Sequence, residues 1–426
     1  MIKSILRILE EEIIPSEGCT EPIALAYGAS KLTSILEHVP DKIDVTLSGN
    51  MIKNIKSVTI PNSGGMVGIE AATAIGAILG DSNKELMVIS NINQSRLHEV
   101  REYIESSKIN CKLYEGNLKL YIKLVGYYND ENAIVEIQDF HTNITKIVKN
   151  GHIILDKCID QNNNCKDKVN RNFLTLKVIY DTAKTIDLSL IEKIFNKVID
   201  CNSAIAEDGL NKTYGIAIGK TIKEGIEEGF FGNDLRNNMA SFASAGSDAR
   251  MNGSPLPVMT TCGSGNQGMT CSLPVIKFCL MKNKNKEDLI RGLYVSHLTA
   301  IHGKEKIGRL SAYCGAITAA AGVSGAISFL DGMDFKAYES AVETTLATLS
   351  GVICDGAKSS CATKIASGVY GAVDSYISAK KGRKFNFGDG IVGKTPEKTI
   401  EYVGILGSDG MKETDQVILN IMLNNK

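Results

Sequence analysis

The chain has 426 residues, which at about 150 residues per typical domain predicts two or three domains. Lys and Arg total 47 against 48 Asp and Glu, and this net charge of -1 excludes the electrostatic attraction behind nucleic-acid or anionic-membrane binding. The 11 cysteines are too few for a disulfide-built secreted scaffold, and the acidic N-terminal stretch does not resemble a secretory signal. We therefore expect a cytoplasmic protein with reduced thiols.

The apolar patterns divide the chain into three parts. Residues 1–37 predict two helices interrupted at residues 15–20, and residues 38–156 predict a mixed α/β module. Residues 157–172 are polar and Asn-rich, which is typical of a linker or long surface loop, and residues 173–426 predict an all-α domain. The expected fold class is therefore α+β.

Within the mixed module, strands and helices alternate. Strand patterns occur at residues 43–49, 57–61, 85–90, 118–128 and 132–140, and helical patterns occur at residues 68–80 and 95–107. Further on, residues 310–330 are 21 consecutive uncharged positions, long enough to cross a bilayer. Gly, Ala, Ser and Thr dominate this run, so we expect a buried, closely packed helix and no membrane span.

A glycine loop at residues 263–268 matches the G-x-G-x-x-G pattern of dinucleotide-binding proteins. Its context disagrees, because Pro255 and Pro257 weaken the preceding strand and Pro274 is expected to break the following helix. The loop is equally consistent with a tight turn between helices and with a cradle of backbone N–H groups for a carboxylate.

Four cysteines and one histidine are candidates for chemistry. Cys314, Cys354 and Cys361 suit an iron–sulfur cluster with one open iron, although their spacing alone favours inert core cysteines. On a single helix the last two would share a face. Cys19 precedes a predicted helix N-terminus, which favours a thiolate, yet a small residue at a tight turn explains it as well. His141 follows a strand and can reach a polar cleft.

Taken together, six motifs resemble the L-cysteine desulfidases, relatives of the iron–sulfur L-serine dehydratases. The motifs are GCTEPIALA (18–26), HTNI (141–144), SDARMNGSPLPVM (247–259), GSGNQGMT (263–270), SHLTAIHGKEKIGRLSAYCGAITAAAG (296–322) and ICDGAKSSCATKIASG (353–368). The resemblance implies one [4Fe-4S] cluster per chain, with one open iron, held by Cys314, Cys354 and Cys361. It also implies that Cys19 acts as the base and that the all-α domain carries the cluster.

The resemblance predicts an elimination of L-cysteine to hydrogen sulfide, ammonia and pyruvate without pyridoxal phosphate. Ser264, Asn266 and Gln267 are the first candidates to position the substrate, followed by Asn143 and His141. The serine branch differs in its Ser- and His-rich motif, in a wider ligand spacing and in a further C-terminal cysteine, whereas no cysteine follows Cys361 here. L-Serine dehydration and a non-enzymatic thiol-rich protein that binds sulfide or metal are the alternatives, and the oligomeric state stays open, homo-oligomers included.

Overall fold

The structure is a computed structural model that describes residues 1–157 and 169–424. A mixed sheet occupies the N-terminal region and helices fill the C-terminal region, so the predicted α+β class is confirmed. Most of the predicted linker at residues 157–172 lies outside the described residues.

Six strands form one sheet in the order β3-β2-β4-β5-β6-β7. Strands β2 and β3 pair in parallel and all other neighbours pair antiparallel, so the sheet is mixed. A separate antiparallel pair joins β1 to β8 across more than half of the chain. The strands are β1 (Pro15–Glu17), β2 (Lys42–Leu47), β3 (Ile109–Leu113), β4 (Tyr121–Tyr128), β5 (Glu131–Gln138), β6 (Ile144–Lys149), β7 (His152–Asp156) and β8 (Pro257–Met259).

Within residues 1–157 and 169–424, five α-helices belong to the N-terminal region and eleven follow residue 173. The first five are α1 (Ile2–Glu12), α2 (Thr20–Leu36), α3 (Gly49–Ile55), α4 (Gly68–Leu79) and α5 (Leu97–Glu105). The remaining helices are α6 (Leu176–Thr185), α7 (Glu192–Asn211), α8 (Ile218–Glu227), α9 (Leu235–Met251), α10 (Gly265–Met281), α11 (Lys286–Glu305), α12 (Gly315–Leu330), α13 (Phe335–Leu349), α14 (Ser360–Lys380), α15 (Pro396–Ile405) and α16 (Lys412–Asn424).

The buried apolar side chains form two main cores. The sheet core joins the strands to α2, α4 and α5, and the helical core joins most of the later helices. Helix α1 packs in the helical core through Ile5, Ile8 and Leu9, whereas α2 packs in the sheet core. The short segment between them therefore passes from one core to the other, and this segment carries Cys19.

Two predicted strands and one predicted helix break are wrong. Residues 57–61 make a single β-bridge, Thr59 to Val67, and residues 85–90 lie in a 3-10 helix (Ser82–Met87) and the turns after it. Both runs are apolar because Val58 and Ile89 are buried in turns, and such runs cannot be told from buried strands by pattern alone. Helix α10 continues through Pro274, since burial of its apolar side chains offsets a cost of about 3 kcal/mol.

The uncharged run at residues 310–330 contains α12, whose residues are almost all buried among other helices. Thr318, Ser324 and Ser328 of this helix donate their hydroxyls to backbone carbonyls, for example Ser328 to Ser324 O at 2.7 Å. Among the described residues, no helix is both long enough and apolar enough to cross a membrane.

Candidate active site

A cavity of about 90 Å³ lies where the N-termini of four helices meet. Cys19 is the residue before α2, Ser264 the residue before α10 and Cys314 the residue before α12, while Cys361 lies in the first turn of α14. Helix N-termini present free N–H groups and a partial positive charge. Their convergence makes the cavity suitable for anionic groups.

Cys314 and Cys354 are held together by a short antiparallel pairing of their backbones. Tyr313 and Ile353 form a β-bridge, the Cys314 N–H donates to Val352 O at 3.2 Å, and the Cys354 N–H donates to Ala312 O at 2.6 Å. The two thiols line the same cavity although 40 positions separate them in the chain.

Cys354 and Cys361 do not share a helix, because α14 begins at Ser360. A turn at Gly356, with φ of +100°, brings them together, and the Cys361 thiol contacts Gly356 O at 3.5 Å. A Cβ on Gly356 would come within 2.4 Å of Lys53 O. The Lys53 ammonium, buried in α3, donates to Cys354 O at 3.2 Å and pairs with Asp415 of α16 at 2.6 Å.

These three thiols fit an iron–sulfur cluster. Burial, with the charges of Cys354 and Cys361, raises the pKa of Cys314 to about 12, so the thiolates need a positive metal centre beside them. Within residues 1–157 and 169–424, no three His, Cys, Asp or Glu side chains are arranged to hold a single metal ion. A polynuclear cluster, in which different irons take different thiolates, suits three thiols spread around a cavity better than a lone ion.

The structure places Cys19 on the same cavity, in a small apolar cluster with Val58 and Met251 against which Cys361 packs. Cys19 directly precedes α2, whereas the sequence predicted that Thr20 would stand between Cys19 and the helix. Burial raises the pKa of its thiol, and the positive charge of Arg250 opposes this shift. The helix N-terminus alone therefore does not produce the expected thiolate.

Glu21 in the same motif is buried and tightly held. The Asn54 amide donates to Glu21 Oε1 and the Thr20 hydroxyl lies against Oε2, both at 3.0 Å. Burial would raise the pKa of Glu21, but His141, 3.8 Å away, and Arg250 bring it to about 2. Thr20 also donates to Gly263 O at 2.8 Å, which ties the GCTEP motif to the glycine loop.

The glycine loop lies after β8 and forms the N-terminus of α10. Ser264, Asn266 and Gln267 all line the cavity, as predicted for substrate-positioning groups. Gln267 Nε2 donates to the Thr318 hydroxyl at 3.4 Å, and Asn266 accepts from the Ser247 hydroxyl at 3.2 Å.

His141 and Asn143 lie outside the cavity lining. His141 is buried behind Glu21 and next to Gly263. Asn143 is in a turn before β6, where its amide donates to Gln138 O at 3.0 Å and accepts from Lys157 at 3.2 Å. His141 can therefore act on the cavity through Glu21, whereas the described contacts of Asn143 stay within the sheet module.

The sequence predictions missed several polar residues that line the cavity, namely Arg250, Lys304, Arg309, Asn50 and Asn54. Arg250 stands out in the sequence as a charged residue in a stretch of small residues, FASAGSDARM (242–251), and Lys304 and Arg309 lie within the motif at residues 296–322. Arg309 is already paired, because Nη2 donates to both carboxylate oxygens of Glu12 at 2.8 Å. Glu12 also pairs with Arg171 at 2.6 Å.

Glu17 is buried two residues before Cys19, and its Oε2 atom has no hydrogen-bond partner in the part of the chain that the structure describes. Burial raises its pKa from 4.5 to about 7, against the charge of Lys84. The folded state thus binds the proton more tightly, so the free energy of unfolding falls as pH rises from about 4.5 to about 7. We expect Glu17→Gln to stabilise the protein by up to about 3 kcal/mol at pH 8 and not at pH 4. Denaturant unfolding at both pH values measures this, and equal effects at both would contradict it.

The chain matches the family model described as serine dehydratase alpha chain over residues 83–420, which is most of its length. The chain belongs to this family. The match includes the glycine loop and the three clustered cysteines but begins after Cys19. A dehydratase is a lyase, so the serine dehydratase alpha family indicates a lyase-type enzyme and implies an iron–sulfur cofactor.

Relatives similar over their full length carry the name UPF0597 protein, which states no activity. One from Fusobacterium nucleatum is 55% identical over 421 residues, covering 99% of both chains. Another from Desulfitobacterium hafniense is 42% identical over 98% of this chain and 96% of its own. A third from Lachnoclostridium phytofermentans is 41% identical over 100% of both chains. This member of the serine dehydratase alpha family therefore aligns with its relatives from end to end.

Proposed function

We propose that the protein is an iron–sulfur-dependent L-cysteine desulfidase, which converts L-cysteine and water to hydrogen sulfide, ammonia and pyruvate. The observation that carries this proposal is that Cys19 lines the same cavity as Cys314, Cys354 and Cys361. Three thiols are available for a cluster, and a fourth is free for proton transfer.

Cys314, Cys354 and Cys361 would hold one [4Fe-4S] cluster. When bound with one iron open, the cluster would supply Lewis-acid chemistry to the substrate. Residues 362–426 contain no cysteine, so no thiol of that segment would cover the open iron.

Cys19 would remove the Cα proton of the substrate. Loss of this proton and of hydrosulfide leaves aminoacrylate, which tautomerises to an imine that water hydrolyses to pyruvate and ammonia. The burial that raises the pKa of Cys19 also makes its thiolate a stronger base once formed, and Arg250 is the cation that favours the thiolate.

Polar groups around the cavity would orient the substrate. Ser264, Asn266 and Gln267 come from one turn and are fixed by the start of α10 and by contacts with Thr318 and Ser247. His141, which lies outside the cavity lining and 3.8 Å from Glu21, would hold Glu21 in position. Asn143 lies outside the cavity lining too, and its role in positioning the substrate stays a prediction. All nine described cysteines are free thiols, which agrees with a reducing, cytoplasmic setting.

L-Serine dehydration is the second candidate function, because the family match over residues 83–420 is to a serine dehydratase chain. The two functions share a cluster and differ in the leaving group. The absence of a later cysteine and the presence of Cys19 on the cavity favour L-cysteine.

Comparison of the two substrates on the anaerobically prepared, iron-loaded protein tests the proposal. Pyruvate formation is measured with each compound, and we expect the higher kcat/KM with L-cysteine. The sulfide released from L-cysteine should equal the pyruvate in amount. A higher kcat/KM for L-serine would identify the protein as a serine dehydratase. Binding of sulfide or iron without turnover of either compound would identify a non-enzymatic binding protein, and bleaching of a yellow colour by borohydride would indicate pyridoxal phosphate.

A further inference from the structure

Arg250 is buried on the cavity, and two of its guanidinium nitrogens have no hydrogen-bond partner among the described residues. It lies in the last turn of α9, lines the cavity and is 1% exposed. Its Nε and Nη2 atoms make no hydrogen bond within the described residues. A guanidinium is always charged, and burying it without an anion is unfavourable. Arg250 is therefore suited to an anion that enters the cavity.

The acidic side chains around Arg250 are already engaged. Glu21 accepts from Asn54 and contacts the Thr20 hydroxyl. Asp248, on the same helix, accepts from the Gly219 N–H at 2.9 Å. The charge of Glu21 lowers the cost of the nearby positive charge, while Nε and Nη2 of Arg250 keep no hydrogen-bond partner among the described residues.

Lys304 and Arg309 also line the cavity. Lys304 interacts electrostatically with Cys354 and Cys314, and Arg309 is paired with Glu12. Arg250 instead acts on Cys19 and Glu21, and its chain neighbour Met251 packs against Cys19. Arg250 therefore belongs to the Cys19 end, where it is not needed as a counter-charge for the cluster thiolates.

We propose that Arg250 binds the α-carboxylate of the amino-acid substrate and thereby selects for α-amino acids. This inference rests on the proposed function. The planar guanidinium can donate two parallel hydrogen bonds to a carboxylate, and these charge-assisted hydrogen bonds are stronger than those from a neutral donor. The Cα carbon is bonded to the carboxylate, so a carboxylate on Arg250 also brings the Cα proton to the Cys19 end of the cavity.

The glycine loop leaves the space that this contact needs. A Cβ on Gly265 would come 2.4 Å from Arg250 Nε and 2.6 Å from its Cζ. Gly265→Ala is therefore expected to displace the guanidinium while residue 250 remains arginine. This variant tests the position of the charge separately from its presence.

The test measures calorimetric binding of L-alanine and L-alaninamide to the anaerobic, iron-loaded protein. L-Alanine carries the carboxylate but lacks a leaving group, and L-alaninamide replaces the carboxylate with a neutral amide. We expect the wild type to prefer L-alanine, and Arg250→Gln to weaken L-alanine binding by about 10- to 100-fold with little change for L-alaninamide. Arg250→Lys should lose part of the preference for L-alanine. Gly265→Ala, like Arg250→Gln, should weaken L-alanine binding more than L-alaninamide binding.

Arg236→Gln is the matched control, because Arg236 lies on the same helix but is exposed and paired with Asp374 at 2.9 Å. It should retain the full preference for L-alanine. Equal affinities of the wild type for the two compounds, or a full preference in iron-loaded Arg250→Gln, would overturn the assignment. If Arg250→Gln does not fold, the same criterion applies to Gly265→Ala.

The outcome also separates this inference from the proposed function. In one case the wild type releases no sulfide from L-cysteine while its preference for L-alanine is lost in the Arg250 variants. The desulfidase proposal then fails and the carboxylate site stands. If sulfide is released and the preference does not depend on Arg250, the carboxylate assignment alone fails.

Discussion

Replacement of Cys354 by alanine is expected to reduce the iron content of the anaerobically prepared protein from about four atoms per chain to near zero. Cys354 is one of three thiols on the cavity, and two thiols are too few to retain a cluster that already has an open iron. Its loop is held by Lys53 and by the Ala312 carbonyl, contacts that involve its backbone and survive the substitution. We expect the same loss for Cys314→Ala and Cys361→Ala. Iron and acid-labile sulfide assays measure it.

Cys279→Ala is the control for cluster loss. Cys279 is also buried, but it lies in α10 among apolar side chains of the helical core and does not line the cavity. This variant should keep the full iron content. Full iron in the three cavity variants, or loss in Cys279→Ala alone, would contradict the assignment of the cluster.

Cys19→Ala is expected to keep the iron and to lower kcat for L-cysteine by about 100- to 10,000-fold, the usual contribution of a general base. Cys19 belongs to a small apolar cluster with Val58 and Met251, and the three thiols proposed to bind iron come from other segments of the chain. The brown colour should therefore persist while sulfide release falls. Stopped-time assays of sulfide and pyruvate measure the rate.

Cys271→Ala is the matched control for the base, because Cys271 is a fully buried thiol outside the cavity lining. Its activity should stay within a few-fold of the wild type. A coloured Cys19→Ala protein with the activity of the wild type would show that another group removes the Cα proton.

The sequence predicted the parts of the fold that depend on local pattern. Alternating apolar residues correctly indicated β2, β4 and β5, and helical spacing indicated α4 and α5. The pattern failed where burial comes from distant partners. The pairing of β1 with β8 joins Pro15 to Met259, and nothing near either residue in the chain indicates the other.

The candidate site was likewise predictable only where its residues lie in short local motifs. Motif resemblance singled out all four cavity cysteines, and the polar glycine loop suggested Ser264, Asn266 and Gln267. Arg250 was missed, because its burial depends on how α9 packs against α7, α10 and α14. Residue order in α9 shows Arg250 among small side chains, but it does not show that two of its guanidinium nitrogens lack a hydrogen-bond partner.

The central claim is that an iron–sulfur cluster in this cavity is required to release sulfide from L-cysteine. The direct test is the rate of sulfide and pyruvate formation by the anaerobic protein before and after its iron is removed with a chelator, and again after reconstitution. The proposal predicts equal amounts of both products, loss of both with the iron, and their return on reconstitution. Sulfide and pyruvate formed at an unchanged rate by the iron-free protein, or none formed by the iron-loaded protein, would contradict it.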